Sequence, residues 1–280
     1  MSGVASSPGS SGNLGPGFDV LALAVELRCT VTATPTGRWA VIERGEVFEP
    51  GPEDLVRRAA AMAVERPFRL EIDSAIPRAR GLGSSSAVAT AVAAAALRAM
   101  GIDPDSDRLF DIVAELEGHG DNAAAAVYGG LVLVSGGNVR HLEVHQDLRI
   151  VAAIPDARLK TDEARAALSD SVDRWAATRN LARLGFLVEG LRTGDPTALR
   201  VAGGDEMHEA PRASLSPVTG RLMDAARRAG AFHAAWSGAG PTAIAFVDEP
   251  GTAAVEAAMR HELDGQGEVR RLQIDTLGWQ

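Results

Sequence analysis

Lysine is nearly absent from this chain: among 28 lysine and arginine residues, Lys160 is the one lysine. No Gly-Lys-Ser or Gly-Lys-Thr tripeptide exists, which excludes a Walker-type phosphate loop. A chain of this kind that handled a nucleotide would neutralise phosphate with arginine, a helix dipole, backbone N–H groups or Mg2+. Cysteine is reduced to Cys29, which excludes an intrachain disulfide framework and a cysteine-rich metal site. Dense basic blocks are missing and the net charge is −9, so neither a nucleic acid nor an anionic membrane is an expected partner. The longest apolar run, Ala87 to Leu97, is interrupted by Thr90 and is too short to cross a bilayer. The first residues lack a basic stretch followed by an apolar one, so a cytoplasmic soluble protein is expected. No Gly-x-Ser-x-Gly elbow or dinucleotide-binding glycine fingerprint is present either.

What is present reads as a globular α+β chain, 46% hydrophobic and 23% charged over 280 residues. Strands are expected at "RCTVTAT", "RWAVIERG", "FRLEIDSAIP", "GGLVLVSGG" and "LRIVAAIP". "EDLVRRAAAMAVE" and "DSDRLFDIVAELEG" have helical spacing, and Ser84 to Met100, closed by Gly101, combines high propensity with a hydroxyl cap. Further on, helices are expected over Thr161–Leu168, Ser171–Thr193, Pro196–Met207, Pro217–Ala229 and Gly251–Leu263. Strands are expected over Ala231–Trp236, Thr242–Val247 and Glu268–Ile274. The mixture lacks a strict βαβ period, which favours α+β over a doubly wound sheet. A boundary near residue 150 divides it into 1–150 and 151–280.

Four stretches carry candidate chemistry. Gly81-Leu82-Gly83-Ser84-Ser85-Ser86 precedes the alanine-rich helix. It is either a capped helix start or an anion site built of glycines, dipole and hydroxyls. Gly9 to Phe18 is a Gly/Ser/Pro-rich segment that composition assigns to a surface turn, although Asn13 and Asp19 stand at fixed places on a rigid frame. "ELEGHGDNAAAAV" crowds Glu117, His119, Asp121 and Asn122 at a helix end. These are either a metal and hydrogen-bonding set or a polar corner capped by Gly118. "HAAWSGAGPTAIAF" reads as two strands joined by a glycine loop that a ligand could approach closely. His208 in "HEAPR" reads as an ordinary surface histidine.

In this order, "PGSSGNLGPGFDVLALAV", "IPRARGLGSSSAVATAV" and "SGAGPTAIAF" resemble the three motifs of the GHMP small-molecule kinases. "EGHGDNAAAAVYGGLVLV", "KTDEARAAL" and "HEAPRASLSP" resemble stretches of its homoserine kinase branch. The resemblance runs from about residue 8 to residue 247. It implies a GHMP kinase fold: an N-terminal part like ribosomal protein S5 domain 2 and a ferredoxin-like C-terminal part.

It further implies ATP phosphates on a loop from Pro77 through Gly81, Leu82, Gly83, Ser84, Ser85 and Ser86, with Gly238 and Gly240 of the third motif nearby. Mg2+ would be held by Ser84, Ser85 and Glu117. The implied acceptor is L-homoserine, with Asn13 and Asp19 at its ammonium and hydroxyl end and Arg165 and Arg212 at its carboxylate. His119, Thr161 and Asn122 would line the same site, and Asp121 is the candidate base. Phosphorylation of another small alcohol, L-threonine for one, and a non-catalytic paralogue are the alternatives. A homodimer is expected. Departures from the family pattern are Gly9 and Gly12 in place of alanines, Gly120 in place of a proline, and a first motif with no clear strand before it in "MSGVASS". Asp54 stands where an asparagine commonly contacts adenine.

Overall fold

The glycine- and serine-rich start of the chain is a buried strand. A computed structural model describes Met1 to Gln280 and places strand β1 at Gly3–Asn13, turning through residues 14–16 into the 19-residue β2 at Gly17–Pro35. The two pair antiparallel from Gly3 opposite Ala33 to Gly12 opposite Ala22. The expected surface turn and the expected lack of a preceding strand are both corrected here. The reason is close packing. A Cβ on Gly3 would lie 2.2 Å from the carbonyl oxygen of Ala95 in helix α2 (Ser84–Ala99), so strand and helix meet nearly backbone to backbone. Buried serines fit such a contact when their hydroxyls find acceptors. Ser7 donates to the Ala126 carbonyl at 2.9 Å, from β1 to helix α4 (Asp121–Tyr128).

Around β2 a seven-stranded sheet forms from β3 (Ala40–Glu43), β4 (Glu46–Phe48), β5 (Phe68–Ser74), β6 (Leu131–Ser135) and β7 (Asn138–Leu142). Its order is β4-β3-β5-β2-β6-β7, with β1 on the other side of β2. β2 is long enough to pair with β5 through residues 29–35 and with β6 through 21–23. Helices α1 (Leu55–Ala63), α2, α3 (Ser106–Glu117) and α4 cover this sheet. α2 is buried on nearly every face, which explains a helix made of alanine: small side chains admit neighbours all round.

The second sheet holds β8 (Leu148–Pro155), β9 (His233–Trp236), β10 (Ala243–Asp248) and β11 (Gly267–Leu272), all antiparallel, in the order β11-β8-β10-β9. Between β8 and β9 lie α5 (Thr161–Ala166), α6 (Arg174–Thr193), α7 (Pro196–Val201), α8 (Glu209–Arg212) and α9 (Pro217–Arg228); α10 (Glu249–Leu263) joins β10 to β11. Reduced to its strands and two packed helices this is the ferredoxin-like βαββαβ arrangement. Val151 and Ala153 of β8 face a core with Leu222 of α9 and Met259 of α10, whereas Ile150, Ala152 and Ile154 join the main core.

Two expected helices are corrected. The one expected over Pro196–Met207 stops at Val201, and α8 starts separately after Asp205, whose carboxylate accepts from the N–H groups of His208 and Glu209. The one expected from Ser171 begins at Arg174, capped by Asp173. No helix is long and apolar enough to cross a membrane.

Candidate active site

The phosphate-loop candidate is locked between β1 and the β9–β10 corner. Gly81 has φ +74°, and a Cβ there would lie 2.0 Å from the Ser237 carbonyl oxygen. Gly83 has φ +63°, and its Cβ would lie 2.1 Å from Ser10 Oγ. Both positions therefore need glycine for backbone conformation and for space. Ser10 N–H donates to the Leu82 carbonyl at 3.0 Å, and Ser237 Oγ donates to the Gly81 carbonyl at 2.6 Å. No side chain caps α2, so the N–H groups of its first turn remain available where the dipole is positive. Ser85 Oγ instead hydrogen-bonds Glu117. Two of the three hydroxyls, those of Ser84 and Ser85, line both cavities described below.

Across the cleft the side chains are held in pairs. Asn13, at φ +70°, donates to the Gly238 carbonyl at 2.9 Å and accepts from the N–H of Asp19 at 3.1 Å, tying the first glycine-rich segment to the last. Asp19 accepts two hydrogen bonds from Arg165, at 2.8 and 3.1 Å. The guanidinium groups of Arg165 and Arg212 lie 5.8 and 5.3 Å from the Phe18 ring centroid. Arg212 is buried. Its Nε donates to the Ala164 carbonyl at 3.1 Å, and one terminal nitrogen reaches His208 Nδ1 at 3.2 Å and the Gly238 carbonyl at 3.4 Å. Burial lowers its pKa to about 10, and the charge of Arg165 adds to that, leaving it cationic at neutral pH.

The third group centres on the start of α4. His119 Nδ1 lies 2.5 Å from Oδ1 of buried Asp121, and its other nitrogen lies 3.8 Å from Glu117. Burial alone would lower the His119 pKa, but the hydrogen bond and charge of Asp121 together raise it. Ser10 donates to Asn122 Oδ1 at 2.8 Å. Gly12 makes room here: a Cβ there would lie 2.9 Å from both the Asn122 amide and the Asp121 carboxylate.

Two cavities meet at the loop. The larger, about 360 Å3, is lined by Pro77, by Gly81 to Ser86, and by Asn13, Asp19, Arg165, Arg212 and Gly238. Glu117, His119, Asp121, Asn122 and Thr161 complete the set expected from the sequence. The smaller, about 250 Å3, is mainly apolar, with Val41, Phe48, Ile72 and Val88 on its walls. The two share Ala79, Ser84 and Ser85.

Two expected residues lie outside the larger cavity, Gly240 outside both and Asp54 in the smaller one. Gly240 packs behind the loop, where a Cβ would strike the Trp236 ring at 2.5 Å and where its backbone closes on Gly81. Asp54 lines the smaller cavity, with one carboxylate oxygen capping α1 through the N–H of Val56 at 3.0 Å.

His208 is corrected from a surface to a fully buried residue. Its Nε2 donates to the Gly15 carbonyl at 2.8 Å, which leaves Nδ1 to accept from Arg212. The cleft also uses Phe18 and Lys160, which sequence reasoning did not select.

Three metal-capable side chains cluster at Asp19, His119 and Asp121. Both carboxylates there already have partners, Arg165 and His119, and a mixed nitrogen and oxygen set suits Mg2+ poorly. Ser84, Ser85 and Glu117 offer oxygen only, beside the open N-terminus of α2, and fit that hard cation.

Comparison with known proteins meets this geometry from outside. The family description "GHMP kinases N terminal domain" matches residues 54–130, and "GHMP kinases C terminal" matches 187–264. A homoserine kinase of Deinococcus radiodurans is 35% identical, covering 97% of this chain and 94% of that protein. One from Rhodococcus erythropolis is 37% identical, covering 98% and 94%. The crystal structure of homoserine kinase from Cytophaga hutchinsonii superposes with a TM-score of 0.88 at 25% identity, covering 100% of this chain and 96% of that one. The Methanococcus jannaschii mevalonate kinase shares the fold at a TM-score of 0.77 and 14% identity, covering 97% and 98%.

Proposed function

Because the chain belongs to the GHMP kinase family, we propose that it transfers the γ-phosphoryl group of ATP to the side-chain hydroxyl of L-homoserine. The products are O-phospho-L-homoserine and ADP. The observation that carries this reading is the shared wall of Ser84 and Ser85 between two cavities of opposite character. A nucleobase fits the apolar one, the phosphates cross the loop, and the acceptor fits the ionic one.

Amino-acid acceptors suit the ionic cavity because both of their charges find a partner. The Asp19–Arg165 pair presents a carboxylate and a guanidinium side by side, a template into which a zwitterion can exchange. Arg212 adds a second cation whose position is already fixed. An isoprenoid alcohol lacks the ammonium that Asp19 would take.

In the transfer, the acceptor oxygen forms a bond to the γ-phosphorus while the bond to the bridging oxygen of ADP breaks. The proton leaves the hydroxyl for Asp121, which His119 holds in place. Asn122, steadied by Ser10, and Thr161 line the path of the acceptor. Ser84, Ser85 and Glu117 would hold Mg2+, which when bound neutralises charge on the phosphate oxygens. The proposal also includes a division of the chain near residue 150, a cytoplasmic location, and a homodimer to be checked by sedimentation velocity.

The test is ADP release from ATP and Mg2+ with purified protein, offered L-homoserine, L-threonine, mevalonate or no acceptor in parallel. Homoserine-dependent turnover well above the other arms is expected. Turnover on another alcohol alone would keep the kinase and discard the homoserine reading. ATP binding without turnover on any acceptor would favour a non-catalytic paralogue.

A further inference from the structure

We propose that Lys160 is a catalytic residue whose ammonium contacts the transferred phosphoryl group; the inference rests on the kinase reading above. Its ground is an inventory of the cations that line the larger cavity: Arg80, Lys160, Arg165 and Arg212. Three of the four are occupied. Arg80 donates from Nε to the Pro155 carbonyl at 2.7 Å, and its terminal nitrogens reach the carbonyls of Asp156 and of Arg78, the latter at 3.2 Å. Arg165 is paired with Asp19, and Arg212 is buried against two carbonyls and an imidazole. Lys160 makes no ion pair and no side-chain hydrogen bond, not even with Asp162 on the same wall.

The segment carrying Lys160 is fastened to the phosphate loop. Leu159 donates its N–H to the Ala79 carbonyl at 3.2 Å, two residues before Gly81, and Arg80 grips the start of the same segment at Pro155. Lys160 itself stands exposed at the N-cap of α5, where its donor-only ammonium takes no part in capping. It lines the cavity that holds Arg165 and not the apolar one. In the proposed complex its ammonium meets the terminal phosphate on the acceptor side of the loop, since that cavity is lined by the loop together with Asp19 and Arg165. A compact charge on a flexible stem can follow a phosphoryl group as it moves between donor and acceptor oxygens. The lysine missing from the loop sequence is thus supplied by a segment hydrogen-bonded to that loop.

The single lysine makes the test selective. Purified protein is acylated with sulfo-N-hydroxysuccinimide acetate without nucleotide, with ADP and Mg2+, and with the β,γ-imido analogue of ATP and Mg2+. Modification of Lys160 is then read by peptide mass spectrometry, with the α-amino group as internal control. The triphosphate analogue is expected to slow Lys160 acylation at least about 10-fold, ADP much less, and neither should protect the α-amino group. In parallel, Lys160→Gln is expected to lower kcat about 10- to 100-fold with ADP affinity within about twofold of wild type, and Lys160→Arg to recover part of the loss.

Equal acylation in all three arms, equal protection by ADP and the triphosphate, or wild-type kcat in Lys160→Gln would each overturn the proposal. A protein that bound ADP and the triphosphate normally but phosphorylated no acceptor would overturn the kinase reading instead. The protection pattern would still show whether Lys160 meets the terminal phosphate.

Discussion

Three of the five N–H donors around the Arg212 guanidinium are directed into the protein before any ligand arrives, and the protein groups that take them are spread across the chain. Ala164 belongs to α5, His208 precedes α8, and Gly238 sits in the β9–β10 corner. Burial lowers the His208 pKa, against the raising effects of Asp205 and of the Gly15 carbonyl, and that carbonyl fixes its tautomer. The imidazole therefore orients Arg212 without opposing its charge. Arg212→Lys keeps the charge but loses the fork. The variant is expected to raise the acceptor KM about 30-fold or more while ATP affinity stays near wild type, read by steady-state kinetics with each substrate varied. An unchanged acceptor KM would remove Arg212 from the carboxylate site.

Glu209, next to His208, yields a prediction in pH. Its carboxylate is buried, and burial raises its pKa from the ordinary 4.5 to about 7, against the hydrogen bond donated by Trp236 N–H at 2.8 Å. Between those values the folded chain binds a proton that the unfolded chain has released. The stabilisation is full below about 4.5 and is lost as pH rises to about 7. The change is on the order of 3 kcal/mol. Buried His233 has the opposite sign: burial lowers its pKa from 6.5 to about 4, so stability is lost as pH falls through that range. Glu209→Gln removes only the first effect. Its stability relative to wild type should therefore increase with pH between about 4.5 and 7, measured by urea denaturation across that range. A difference independent of pH would mean that Glu209 is not protonated in the fold.

Three elements were legible within a residue or two of their expected spans: α9 by its one apolar face, and α2 and β8 as apolar runs buried on both sides. β1 was not. Its sequence, GVASSPGSSGN, has no apolar alternation because its inner face meets α2 and α4 too closely for side chains. In the site, the paired groups His208 and Gly15 are 193 residues apart, so no local pattern marks that histidine as buried. Gly240 failed for the converse reason, since a glycine needed for packing against Trp236 looks in sequence like one needed for a ligand.

At this scale the sharpest prediction concerns the start of α2. A side chain at Gly83 would need φ +63° and would overlap Ser10, whose hydroxyl also holds Asn122. Gly83→Ala is expected to cost about 2–4 kcal/mol in urea denaturation. Because loop, β1 and α4 shift together, nucleotide affinity and kcat should both fall. Full ATP affinity in a destabilised variant would separate the loop's packing role from phosphate binding.

Over the whole molecule, two sheets are joined twice. Phe246 of β10 and Leu272 of β11 sit in the same core as α2 and β2, so the main core already spans both. The last eight residues add a second connection by crossing back from β11. Glu26 N–H donates to the Gln273 carbonyl, Asp275 N–H to the Ala24 carbonyl and Gly130 N–H to the Asp275 carbonyl. Ser6 and Gln280 then exchange both backbone hydrogen bonds at 2.8 Å, and Trp279 donates to the carbonyl of Val127 and to Ser106. Arg28 completes the strap, reaching Asp275 and the Gly278 carbonyl. This strap braces the far end of α4, the helix whose first residues are Asp121 and Asn122. A chain ending at Asp275 keeps both sheets and every cleft residue but loses the contacts to Ser6, Val127 and Ser106. It is expected to unfold in a single transition at a temperature several degrees lower, on the order of 3 kcal/mol less stable, since the shared core still couples the sheets. Its affinity for ATP should be retained while kcat falls, because the loop keeps its bonds to β1 and Ser237 whereas α4 loses the one from Trp279 to Val127. Calorimetry resolving two separate transitions would show instead that the strap, and not the shared core, makes the two sheets one cooperative unit.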